Sequence, residues 1–143
     1  MPSKAETHKA MHEAFIRRDF ASVLATLADS FTYRDHGSGM TFHGKAGFNQ
    51  FMEGWVKGFS NATPHAATYI DGGDVSVAQF HGKGINDGPV GPFPASGKKM
   101  DLPFCEIMHF NSAGQAVSGE CYYDMLSMMV QLGHMKAPMA ASA

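Results

Sequence analysis

Between Lys45 and Phe59 the chain sets Phe48, Phe51, Met52, Trp55 and Phe59 three and four residues apart, a spacing that only a helix gathers onto one face. Asn49, Glu53 and Lys57 fall four apart on another face. Gly47, Gly54 and Gly58 each cost such a helix roughly 1 kcal/mol relative to alanine, so its stability has to come from what it packs against. A stripe this wide demands a broad apolar surface, and the second half of the chain supplies strands for one.

Thr68 to Asp71, Gly72-Gly73 and Asp74 to Phe80 read as a hairpin with a two-residue turn. Lys98 to Phe110 and Val117 to Tyr123 read as a second, joined by the turn Asn111 to Gly114. A four-residue loop sets Phe110 opposite Gln115, His109 opposite Ala116, Ile107 opposite Ser118 and Cys105 opposite Glu120. His109, Ser118, Glu120, Tyr122 and Asp124 then share one face, a titratable row that either meets water or lines a wet cavity. Ile85 to Gly97 is too rich in Gly and Pro to be regular.

Ahead of the long helix, Ala5 to Arg18 suits a helix with Met11, Ala14 and Phe15 on one face. Asp19 caps a second one carrying Phe20, Val23, Leu24 and Leu27. Phe31 to Asp35 reads as a strand with Tyr33 and Asp35 on one face, followed by a loop over His36 to Gly39. At the far end Met125, Leu126, Met128, Met129 and Leu132 predict a terminal helix, and residues 134–143 a frayed tail. The expected fold is α+β: a curved, mostly antiparallel sheet wrapped around a long helix as a cone-shaped barrel, in one domain with a core from about residue 5 to 133.

With 143 residues, 44% of them hydrophobic and 17% charged, the chain has the composition of a globular protein with a sizeable core. A net charge of −2 and no Lys/Arg run longer than two argue against a nucleic-acid partner. No apolar run reaches membrane-spanning length and MPSKAETHKA lacks the apolar core of a leader, which makes the cytoplasm the default. Cys105 and Cys121 fall on opposite strand faces, so no disulfide is expected.

Two features carry chemistry. Asp124 stands at the junction of the last strand and the terminal helix, where it serves either as an N-cap or as a proton-transfer group. His8 and His12 lie four apart on the first helix, a metal-capable spacing; with no third ligand signalled, they read as solvated side chains and no metal or organic cofactor is expected.

The order of elements, the run GKGINDGPVGPFPASGKKMDLPF and the closing AVSGECYYDMLSMMVQLG resemble the SnoaL-like polyketide cyclases of the nuclear transport factor 2-like superfamily, which also holds ketosteroid isomerase. The resemblance implies a homodimer with an apolar conical pocket for a small carbonyl compound, and cofactor-free acid/base chemistry such as an intramolecular aldol ring closure or an isomerisation. It places Asp124 as general acid/base and His109 as its pocket histidine. Asn49 matches a polar pocket residue of the long helix, and Phe15 stands where some members carry tyrosine. Tyr33, Trp55, Glu106, Glu120 and Tyr122 are further pocket candidates. A carboxylate inside such a cone has its pKa raised by desolvation, which suits proton exchange near neutral pH. The alternative is a binding module whose cone holds a hydrophobic ligand without turning it over.

Overall fold

The computed structural model describes residues 1–139. Helices α1 (Lys4–Ile16) and α2 (Phe20–Ala25) lead into strands β1 (Leu27–Asp35) and β2 (Met40–His43); helix α3 (Gly44–Gly58) follows. Then come β3 (Thr63–Asp71), β4 (Val75–Ile85), β5 (Lys99–Phe110), β6 (Ala116–Tyr122) and helix α4 (Met125–Gln131). The six strands form one sheet in the order β2-β1-β6-β5-β4-β3, antiparallel except where β1 runs parallel to β6. Helix α3 packs on β1 and β2 while α1 covers β3 and β4, so the two helices and the curved sheet enclose the core.

The α1 start is fixed by a capping box, in which Ser3 Oγ accepts from the Glu6 amide and the Glu6 carboxylate accepts from the Ser3 amide. Asp19 caps α2 as the sequence predicts. The α3 stripe divides by depth: Phe48 and Met52 are buried, whereas Phe51 and Trp55 are half-buried and border a cavity.

Several sequence expectations change. Leu27 opens β1 instead of closing α2, and the short edge strand β2, with no strong alternation, is invisible in the sequence. The β3–β4 turn is longer than Gly72-Gly73: Asp71 pairs with Ser76, and the Asp71 carboxylate accepts from the Gly73 amide across the loop. The β5–β6 ladder is displaced by two residues along most of its length, so that Cys105 faces Tyr122, Ile107 faces Glu120 and His109 faces Ser118. An even displacement leaves every residue on its face. Both cysteines are free, with Cys121 buried and Cys105 on the outer side. Of the tail, His134 is packed: its ring meets Phe93 and its Nε2 lies 3.2 Å from Asn86 Oδ1; residues 140–143 lie outside the described residues.

Candidate functional site

Strand β5 buries every second residue, Met100, Leu102, Phe104, Glu106, Met108 and Phe110. Five of these are apolar and the sixth is a carboxylic acid. Glu106 is flanked in the sheet by Ala78 of β4 and Cys121 of β6, small neighbours that leave room above it. Helix α1 fills part of that room. Its inward stripe continues from Met11 and Phe15 back through His8 and His12, one to two turns away, and both imidazoles reach the carboxylate.

Glu106 Oε1 accepts from His8 Nε2 at 2.8 Å and from His12 Nε2 at 2.7 Å, and Oε2 accepts from the Tyr33 hydroxyl. Beyond the histidines, His8 Nδ1 lies 2.9 Å from Ser76 Oγ and His12 Nδ1 lies 2.8 Å from the Tyr69 hydroxyl. An ionised carboxylate only accepts, so each ring directs an Nε2 hydrogen to Glu106. Five side chains from α1, β1, β3 and β4 thus close around one buried anion. Among the described residues no buried side-chain nitrogen or oxygen lacks a partner.

Burial pushes the Glu106 carboxyl upward, but the adjacent charge and hydrogen bonds of His12, and then of His8, outweigh it, so its pKa ends well below the ordinary carboxylate value. Burial, and then the facing Glu106 charge, push the Tyr33 phenol far upward, and the same two causes raise Tyr69. Near neutral pH the site holds an anion among protonated phenols.

This cluster forms the polar head of a cavity of about 100 Å³. His12, Tyr33 and Glu106 face it, and Phe15, Phe51, Trp55 and Phe104 supply apolar wall. Tyr33 is held by rings on three sides, with Phe51 at 4.6 Å, Phe48 at 4.9 Å and Phe31 at 6.2 Å between centroids. Gly119, its neighbour on β6, makes that placement possible: a Cβ there would come 2.5 Å from Met108 Sδ and 2.9 Å from the Tyr33 ring.

Of the residues expected from the sequence, Tyr33, Glu106, Trp55 and Phe15 line the cavity. The others do not. Asp124 is exposed, caps α4 by accepting from the Ser127 amide at 3.2 Å and hydroxyl at 2.7 Å, and has its carboxyl lowered chiefly by that hydroxyl. The expected rise in an apolar cone does not occur there, because the chain leaves the sheet on its outer side. His109 is exposed on the same outer face, being odd-numbered on β5. Tyr122 also points outward, stacked on His36 at 4.2 Å and donating to Glu120, and Asn49 Nδ2 donates to Glu53 on the outer side of α3. The titratable row is real as a row, and it meets water. His8 and His12, in turn, are enclosed against the sheet: the third donor that their spacing could not reveal is Glu106, 98 and 94 residues further on.

A curved sheet closing with helices on an apolar cone is the architecture of the nuclear transport factor 2-like and ketosteroid isomerase-like proteins, and solved structures bear out that fold. The chain belongs to the SnoaL-like domain family, whose model matches residues 8–119. A protein of Jannaschia sp. CCS1, provisionally assigned as a SnoaL-like polyketide cyclase, superposes with a TM-score of 0.83 at 21% identity, over 92% of each chain. A provisionally assigned polyketide cyclase of Xanthomonas campestris gives 0.80 at 23% identity, over 90% of this chain and 96% of the other. A ketosteroid isomerase-like protein of Catenulispora acidiphila, solved with trimethylamine, gives 0.77 at 18% identity, over 90% and 92%. No curated protein matches the sequence.

Proposed function

We propose that this protein is an acid/base enzyme acting on a small apolar carbonyl compound, of the cyclase or isomerase type, with Glu106 as the proton acceptor. The observation that carries this reading is a buried, ionised carboxylate at the polar head of an otherwise apolar cavity. Glu106 Oε2 takes the proton from the carbon next to the substrate carbonyl. On accepting it, the carboxyl no longer needs the Tyr33 hydroxyl, which is freed to donate to the developing oxyanion. His8 and His12 hold Oε1 throughout and keep the group aimed.

The bonds that keep Glu106 ionised also make it a weak base, because general-base strength falls with pKa. The fitting substrate therefore has an already acidic C–H, such as the methylene of a 1,3-dicarbonyl, the repeating unit of polyketide-like chains. Binding of apolar 1,3-diketones and keto esters can be followed through the single tryptophan, Trp55, in the cavity wall. Turnover can be followed as deuterium exchange at the central carbon, in the presence of a chelator. Glu106→Gln should bind comparably and exchange roughly 10²- to 10⁴-fold more slowly. A Gln variant exchanging at the wild-type rate removes Glu106 from the chemistry and leaves the binding module as the better account.

A further inference from the structure

We infer that His8, His12 and Glu106 form a site for one divalent first-row transition-metal ion, with its open coordination positions facing the cavity. One donor atom from each of the three residues lies within 4.8 Å of the others, and both Nε2 atoms already converge on the same carboxylate oxygen. Two imidazoles and one carboxylate are a donor set suited to zinc or ferrous iron with positions left open for water or substrate. Bonds of about 2.0–2.1 Å in tetrahedral geometry hold donor atoms roughly 3.3 Å apart, so Glu106 Oε1 has to withdraw by about half an ångström, and donors as far apart as 4.8 Å have to draw together by about 1.5 Å through side-chain rotation.

The surroundings argue for the ion as strongly as the donors do. To bind a metal through Nε2, each ring must carry its hydrogen on Nδ1 and donate it outward, the arrangement that orients most metal-bound histidines. Ser76 Oγ and the Tyr69 hydroxyl already stand 2.9 and 2.8 Å from those nitrogens, and a hydroxyl accepts as readily as it donates. The same contacts thus serve a ring that accepts at Nδ1 and one that donates there. Tyr33 steadies the second carboxylate oxygen, and His12 and Glu106 border the cavity, which gives the ion a path inward.

The two readings compete for one carboxylate, and their tests are separate: turnover under chelation judges proton transfer, and a substrate-free titration judges metal binding. The full-length chain, stripped with chelator, is titrated with Zn²⁺ by calorimetry and with Co²⁺ by visible absorption. One ion per chain at micromolar affinity or tighter is expected, with a Co²⁺ spectrum of low coordination number. His12→Gln should weaken binding by at least 100-fold. Tyr69→Phe, at a half-buried position where folding is safe, should weaken it about 10- to 100-fold. His81→Gln, at an exposed pair with Asp101, should leave it unchanged. Substoichiometric uptake, or affinity indifferent to both His12→Gln and Tyr69→Phe in folded protein, overturns the site.

Discussion

Replacing Glu106 by Gln tests the central cluster through stability, with no substrate required. The buried carboxylate accepts three hydrogen bonds, from His8, His12 and Tyr33. Bonds to a charged acceptor are worth about 1.5–3 kcal/mol each and neutral ones about 0.5–1.5. The amide oxygen keeps the two histidine bonds in weakened form, at a loss of about 1 kcal/mol apiece. The amide nitrogen turns a donor toward the Tyr33 hydroxyl, which loses its acceptor, for about 1 kcal/mol more. Burying a neutral amide is easier than burying an anion, which returns part of this. The net expectation is a destabilisation of about 2–3 kcal/mol at pH 7. At roughly 4 °C per kcal/mol for a chain of this size, the midpoint of thermal unfolding should fall by about 10 °C.

The pH dependence sharpens the test. Because the folded pKa of Glu106 is lowered, its contribution is fully present above the unfolded value of about 4.3 and is lost as pH falls toward the folded value. The wild type therefore loses stability on acidification that the Gln variant never had. Thermal or urea unfolding followed by circular dichroism from pH 7 to pH 3 should show the gap between the two narrowing below about pH 5. A gap that stays constant across that range, or a Gln variant as stable as wild type at pH 7, would refute the assignment of Glu106 as a buried, histidine-held anion.

Asp124→Asn should change stability by no more than a few tenths of a kcal/mol and turnover by less than twofold, since Asn caps a helix about as well as Asp; urea unfolding and the exchange assay check both. Gly119→Ala should cost about 1–3 kcal/mol by overpacking Met108 and Tyr33, and, because Tyr33 is walled in by three rings, should also weaken ligand binding measured through Trp55. A variant with wild-type stability would mean that the Tyr33 ring has room to yield.

Most elements are legible in the sequence because their apolar spacing is strong. The α3 stripe, the two hairpins and the cap residues Asp19 and Asp124 each announce themselves within a few positions. What escapes is whatever depends on distant partners. Edge strand β2 has only β1 to define it, and the longer β3–β4 loop is set by Asp71 folding back on Gly73. The site shows the same division. Alternation along β5 places Glu106 among Met100, Leu102, Phe104, Met108 and Phe110, a local sign of a buried carboxylate, and the four-residue spacing of His8 and His12 is equally local. Their meeting is not, because no periodicity reports that α1 lies over β3 and β4, with its histidines reaching across to β5. Asp124 stands at a junction, and a junction is also where a helix needs a cap.

The parallel pairing of β1 with β6 has a consequence for how the chain matures during synthesis. Strand β1 can zip onto β2 as soon as both have left the ribosome, yet its other edge has to wait for the last strand of the sheet. His8 likewise waits for Glu106, 98 residues later, an interval of about 5–20 s at ordinary rates of translation. During that interval the nascent chain exposes an unpaired strand edge and an apolar α3 stripe, both of which invite association with other chains. The cavity and its anion are therefore products of the final steps of folding. A chain released before β6 would carry both histidines and Glu106 in its sequence and have no closed sheet to bring them together.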